Sequence, residues 1–323
     1  MNAILMPDLY ADHISDHEEG KNWRNRFQYL VDGLLVNGVN TYKHKNFKCN
    51  LNNVLDYCPR AKYDITIYNH SDESFNFKFK GTHNWYFKPT IPTEDYATLD
   101  PLGYGSYTTA TYTRPPYLNY KLKDAQKFID TKVKSWIETG ESKWGKVLEP
   151  YYTEDKDYVL VLAQCEADYS VKRHDFGDYV TRINAVVDEI LNCSDKKVIV
   201  KAHPHCRLSI FNDDKRIKIV RGKYSAHELI KNSYCVVVAN SGSGFEALFH
   251  DKPVICWSLP EYHWVSYDLR HLCDMKRALK LDWYKPKSVI LFLYWYFEHY
   301  CFFDSESAAK RVKNLLDIEQ KMS

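Results

Sequence analysis

No excess of positive or negative charge marks this sequence. Its 44 Lys and Arg stand against 42 Asp and Glu, a net +2 over 323 residues. A nucleic-acid binder working through bulk electrostatics is therefore not indicated, and no basic run or aromatic–basic interleaving supplies one locally. No stretch reaches the ~20 apolar residues that cross a bilayer. The N-terminus, MNAILMPDLYADH, lacks the basic region and long apolar core of a signal peptide. Together these absences lead to the expectation of a cytoplasmic protein. The nine cysteines form no CxxC pair and no zinc spacing, so free thiols in a reducing compartment and no metal site are expected. Neither an internal repeat nor a low-complexity segment is visible.

What is present fits a globular α/β protein. Hydrophobic residues make up 45% of the chain, enough over this length for two domains. Tyrosine is abundant at 26, with 8 Trp; rings with a polar tip suit carbohydrate surfaces and equally suit cores. In the first half, Ala3–Met6 reads as a strand. A helix follows from Trp23, with Phe27, Leu30, Val31, Leu34 and Leu35 on one face and Asn37-Gly38 as its stop. Ala61–Tyr68 reads as a strand, Ser74–Lys80 as an edge or hairpin strand, and 81–116 mostly as loop. Lys123–Ile137 reads as a helix. The polar stretch around 141–157 marks a boundary, giving an N-terminal, acceptor-side domain over 1–150 and a C-terminal domain over 151–323.

Beyond that boundary strand and helix alternate regularly. Strands are expected at Tyr158–Ala163, Val198–Lys201, Ile217–Val220, Cys235–Ala239 and Val254–Trp257. Helices are expected at Asp178–Leu191, Ala226–Lys231 and Ser243–His250. The pattern implies a parallel sheet with helices on both faces. The apolar run Val289–Phe303 reads as a buried helix bracing the domains or, with Lys285 and Lys287, as a peripheral membrane contact. Ser305–Ile318 reads as a closing amphipathic helix that packs back on the N-terminal domain.

Three of these strands empty into polar loops, where ligands of open α/β sheets gather. After the first come Gln164, Glu166, Asp168 and Ser170. The two carboxylates are candidates for acid, base or nucleophile chemistry, or for capping the next helix. The second ends in Lys201 and His203-Pro204-His205, and the proline holds His203 extended. The third ends in Ser241-Gly242-Ser243-Gly244, with Glu246 on the first turn of the helix that follows. Small residues before a helix N-terminus can present amides to a phosphate. This loop is neither a Walker loop nor GxGxxG nor GxSxG. Glu246 suits either the helix dipole or a nucleotide ribose.

As a set, Gln164-x-x-x-Asp168-x-Ser170, Lys201-x-His203-Pro204-His205 and Ser241-x-Ser243-Gly-Phe-Glu-Ala-Leu248 resemble the capsule polysaccharide biosynthesis glycosyltransferases, which include enzymes that transfer Kdo from CMP-Kdo. The resemblance covers about 158–260, and Ala167 stands where the family often has Gly. It implies a GT-B fold, two Rossmann-like domains facing across a cleft, with a nucleotide-sugar donor, a glycan or glycolipid acceptor, and no metal or separate cofactor. Asp168, with Glu166, would carry the chemistry. Gln164, Ser170, Lys201, His203, His205, Ser241, Gly242, Ser243, Gly244 and Glu246 would hold the donor, whose sugar (Kdo or another) stays open. Alternatives are a CDP-polyol phosphotransferase of the teichoic-acid type and a non-catalytic nucleotide- or glycan-binding module.

Overall fold

A computed structural model describes residues 1–6, 18–45, 47, 51–69, 83–89, 93, 95–140, 149–166, 171, 178–203 and 208–322. The chain divides into two compact units. Unit 1 comprises 1–90, 94–113 and 295–323, and unit 2 comprises 91–93 and 114–294.

Unit 1 is built on a five-stranded sheet of β1 (Asn2–Leu5), β2 (Asn40–Lys43), β3 (Ile65–Asn69), β4 (His83–Pro89) and β5 (Ala97–Asp100), ordered β2-β1-β3-β4-β5. All neighbours run parallel except β4 and β5. One face carries Ala3, Leu5, Ile65, Ile67, Trp85 and Phe87 against the helices Glu18–Val36 and Ser305–Met322. The expected apolar stripe of Phe27, Leu30, Val31 and Leu34 is the buried one, while Leu35 stays 48% exposed. Val39 N–H closes the first helix on the Leu34 carbonyl at 3.0 Å, around Gly38 at φ +72°, the left-handed stop that glycine permits.

The two helices approach closely at Gly33. A Cβ there would stand 2.8 Å from the Ala308 carbonyl carbon and the Ala309 nitrogen. Asn37 locks the crossing by donating from Nδ2 to the carbonyls of Gly33 (2.8 Å) and Ala309 (2.9 Å). The second helix is also tied to the sheet edge. Buried Asp100 accepts from Leu102 N–H (2.9 Å), Thr109 N–H (3.0 Å) and Tyr300 Oη (2.7 Å), with the Arg311 guanidinium at 3.5 Å. Such a carboxylate is tolerable in a core because its lone pairs are filled.

One expectation for this part of the chain needs correction. The stretch 81–116 contains β4 and β5 as well as short helical turns. Trp85, Tyr86 and Phe87 are buried on both faces of β4, so the strand shows no alternation to read. The run Val289–Phe303 is largely helical and buried, as the first of its two readings expected. It forms the helix Pro286–Trp295 and a π-helical turn, Tyr296–Tyr300, with Val289, Phe292, Leu293, Tyr296, Phe297 and Tyr300 all at most 3% exposed. The expected strand at 74–80 lies outside the described residues.

Unit 2 follows the expected alternation closely. The sheet has β7 (Tyr158–Leu162), β8 (Val198–Lys201), β9 (Ile217–Val220), β11 (Ser233–Val238), β12 (Val254–Cys256) and β13 (Tyr267–Asp268), all parallel, while β6 (Glu149–Pro150) pairs apart with β10 (Tyr224–Ser225). Val159, Val161, Val198, Val200, Val237 and Ile255 point to one face, onto Ile183, Val186, Val187 and Ile190 of the helix Tyr179–Cys193. Asp178 caps that helix by accepting from Thr181 N–H at 3.0 Å. Residues of the other parity, Tyr158, Leu160, Val236 and Val238, are equally buried. On their side lie the helices His227–Asn232 and Ser243–Phe249, with Tyr158 Oη donating to the Leu229 carbonyl at 2.7 Å. Leu122–Phe128 runs through a π-helical turn, Ile129–Val133, into Lys134–Thr139.

Gly33→Ala tests the helix crossing. Backbone atoms on the facing helix cannot yield, so the variant is expected to lose about 1–3 kcal/mol in urea denaturation; an unchanged midpoint would mean the helices do not meet there.

Candidate functional site

Strand order places the site. In the series β13-β12-β11-β7-β8-β9 the chain leaves β7 in one direction for β8 and β9, then returns to lay β11, β12 and β13 on the other side. β7 and β11 are therefore the topological switch point, where two loops part company and leave a crevice at the carboxyl edge. The register aligns the ends: Val238 pairs with Leu162, and Leu162 with Lys201. Loops from adjacent strands begin roughly 5 Å apart. The sequence-predicted loops at 164, 203 and 241 thus leave three neighbouring strands side by side.

An amide pair spans the crevice floor. Gln164 Nε2 donates to Asn240 Oδ1 at 2.8 Å, and Asn240 N–H donates to Gln164 Oε1 at 3.0 Å. Gln164 N–H in turn donates to Tyr179 Oη at 2.7 Å, so the loop base is fixed to the first helix. Gln164 is 9% exposed and committed through both ends of its amide.

The Ser-Gly-Ser-Gly loop differs from the open amide cradle expected of it. N–H groups of Ser243, Gly244 and Phe245 bond inside the turn, to Ser241 Oγ (3.2 Å), the Ser241 carbonyl (3.0 Å) and the Gly242 carbonyl (3.0 Å). Gly244 is required by a ring. A Cβ there would stand 2.0 Å from Tyr262 Oη, and Tyr262 donates to the Ser241 carbonyl while packing edge-on against Phe245 at 4.8 Å. What the loop offers outward is hydroxyl groups, on Ser241 and Ser243, both half-buried.

Two charged groups sit behind this loop. Glu246 is 7% exposed, its carboxylate receives no hydrogen bond from the described residues, and its carboxyl pKa is raised by burial, against the pull of His227 and Lys201. Burial lowers the ammonium pKa of Lys201, with Glu246 opposing. His203 is half-buried and Glu166 exposed. Asp168, Ser170 and His205 lie outside the described residues. Free thiols hold at Cys58, Cys193, Cys235, Cys256, Cys273 and Cys301 but not at Cys165, next to Gln164, which is disulfide-bonded.

Several neighbours escaped the sequence reading. Asn240 directly precedes the Ser-Gly-Ser-Gly loop, yet its pairing with Gln164 crosses 76 residues. Tyr262 leaves no local signal. Trp257 Nε1 and Ser258 Oγ, at the carboxyl end of β12, are buried without a hydrogen-bond partner among the described residues. His227 and His250 meet at 2.9 Å, Nδ1 to Nε2, so one must donate and the other accept. Burial, with His227, Lys252 and Lys231 nearby, lowers His250 to about 3.

A profile of the family described as capsule polysaccharide biosynthesis protein matches residues 105–270, just over half of the chain. The chain belongs to the capsule polysaccharide biosynthesis protein family. Among solved structures it is similar to two of KpsC from Thermosulfurimonas dismutans. For the KpsC beta Kdo 2,7 transferase the TM-score is 0.55 at 16% identity, over 98% of this chain and 99% of that one. For the KpsC beta Kdo 2,4 transferase it is 0.53 at 15% identity, over 74% and 82%. At that identity the likeness establishes the fold, an α/β architecture of the GT-B class with two Rossmann-like units. No curated protein matches. No helix among the described residues is long and apolar enough to cross a membrane.

Two measurements test the site's internal wiring. Gln164→Ala and Asn240→Ala should be non-additive, with about 1 kcal/mol or more of coupling in a double-mutant cycle, because Asn240→Ala removes the acceptor of Gln164 Nε2 while Gln164→Ala removes both bonds of the clamp; additive losses would dissolve the clamp. The second concerns pH. The folded-state pKa of His250 lies below its unfolded value, so the unfolded chain binds more protons and stability falls as pH drops from 6.5 towards 3. The slope from this group approaches about 1.4 kcal/mol per pH unit. His250→Gln should flatten that part of the curve; an unaltered curve would refute the buried neutral imidazole.

Proposed function

We propose that this protein is a glycosyltransferase of capsule or related surface-polysaccharide synthesis, moving a sugar from a nucleotide-sugar donor to a glycan or glycolipid acceptor. The observation that carries the reading is the alignment of three polar loops at the switch point of unit 2 in a member of this family. Lys201, His203 and the hydroxyls of Ser241 and Ser243 surround the donor phosphate, with Ser170 and His205 completing the set. The buried carboxylate of Glu246 accepts from the ribose hydroxyls, which would repay its desolvation. Trp257 Nε1 and Ser258 Oγ are further donors on the adjacent strand. The clamp formed by Gln164 fixes the crevice, and Asp168, supported by Glu166, acts on the anomeric carbon as base or nucleophile.

Kdo carried by CMP is the first donor to try, since both similar structures are named as Kdo transferases; UDP- and GDP-linked sugars follow. The reaction needs no metal and no cofactor beyond the donor, so turnover should persist in EDTA. A thermal-shift panel tests donor binding: at a hundredfold excess over Kd the true donor contributes about 2.7 kcal/mol of stability. Asp168→Ala should abolish transfer yet keep that shift. Glu246→Gln should weaken nucleotide binding by about tenfold or more. A protein stabilised by no nucleotide or nucleotide sugar would overturn the proposal.

A further inference from the structure

The near-neutral total conceals one uneven region. Between Arg114 and Lys134 lie six cations and two carboxylates, a net +4 in a chain whose total is +2, so everything else sums to −2. All six cations are exposed. Lysines on a helix surface are ordinary by themselves, and Lys134 already faces Glu138 at 3.8 Å. What sets this region apart is the apolar material among the others.

Leu118 is 53% exposed and Leu122 38%. Neither is a frayed end. Leu118 occupies the 3-10 turn Tyr117–Asn119, which Tyr117 anchors: its ring is 4% exposed and lies edge-on to Phe292 at 5.8 Å. Leu122 opens the helix Leu122–Phe128, which is held by buried Ala125 and Phe128. The packing therefore points both leucines outward from a firm base. Lys121 and Lys123 flank Leu122, and Lys127 follows Lys123 by one turn on the exposed side.

We infer that this face of unit 2, centred on Arg114, Leu118, Lys121, Leu122, Lys123 and Lys127, docks on an anionic phospholipid surface. Basic side chains next to projecting leucines match such a surface in both respects: the cations meet headgroup phosphates, and the leucines enter the boundary between headgroups and acyl chains. A nucleic acid would want open aromatic rings for its bases. Of the tyrosines between Arg114 and Lys134, Tyr117 is buried and Tyr120 is half-buried, packed at 5.7 Å against Tyr294, so Tyr112, 52% exposed, is left as a single open ring beside the patch. The inference rests on this surface alone and does not depend on the donor-site reading.

Sedimentation of the full chain with vesicles tests it. Pure phosphatidylcholine vesicles should leave the protein in solution, and vesicles with about 30 mol % phosphatidylglycerol should carry it down, less so as salt rises from about 0.1 to 0.5 M. Lys121→Glu, Lys123→Glu and Lys127→Glu together should reduce partitioning by about a hundredfold or more, since loss of each nearby cation accounts for about fivefold and the reversed charge adds repulsion. Leu118→Ser with Leu122→Ser should weaken partitioning while keeping its salt dependence. Neither set should move the melting temperature or any donor-induced shift, which separates this outcome from failure of the proposed activity. Equal binding to neutral and anionic vesicles, no binding to either, or unimpaired binding by the triple variant would overturn the inference.

Discussion

The candidate site depends on one reciprocal pair of amide hydrogen bonds, Gln164 with Asn240, at the place where the strand order of unit 2 reverses. A parallel sheet leaves its switch point open, because the loops from the two central strands run to opposite faces. A ligand seat there needs its two rims held in fixed relation. Gln164 does this with side-chain atoms of the β7 loop gripping both the side chain and the backbone of the β11 loop. Tyr179 fixes Gln164 to the helix beneath, and Tyr262 holds the Ser241 turn from the other side. The Ser-Gly-Ser-Gly loop gains rigidity from these contacts and gives up its amides to obtain it.

Much of unit 2 was legible because its physics is local. Short runs of Val, Ile and Leu buried on both faces announce parallel strands, and Asp178 announces a helix start. Val198–Lys201 and Ile217–Val220 emerge with the expected bounds. The loops were legible for the same reason, since each directly follows such a run. Resemblance to one family then joined them into a set, which spacing alone would not have done. Unit 1 was harder to read. β4 is an interior strand with aromatic side chains on both faces, and its neighbour β5 bridges from Ala97 to Phe302, far along the chain. Nothing in the residues around Asp100 announces that Tyr300 and Arg311 will close over it.

The contacts missed at the site share a cause. Tyr262 above Gly244, and His227 against His250, are pairings across sequence separations that no periodicity encodes. Gly244 was visible as a small residue before a helix, and the obvious physical reason was an exposed amide for phosphate. The reason in the structure is room for a ring. The two readings carry different expectations for substitution: a side chain at 244 displaces Tyr262 and disturbs the turn before it blocks any ligand.

Charge is used in two distinct ways in this protein, and the difference lies in solvent. Lys201 and Glu246 are withdrawn from water, where their fields are weakly screened and each raises the cost of leaving the other unmatched. Groups so placed suit selection of a small ligand that supplies the missing partners, and salt should affect them little. The cations between Arg114 and Lys134 are exposed to water, where single ion pairs contribute little and attraction comes from many charges meeting an extended opposite surface. That spaced arrangement is also why no basic run was apparent in the sequence: the lysines are separated by the leucines and by the residues that anchor the helix. A total of +2 therefore describes neither region, and where each charge lies relative to water says more about its use than the sum does.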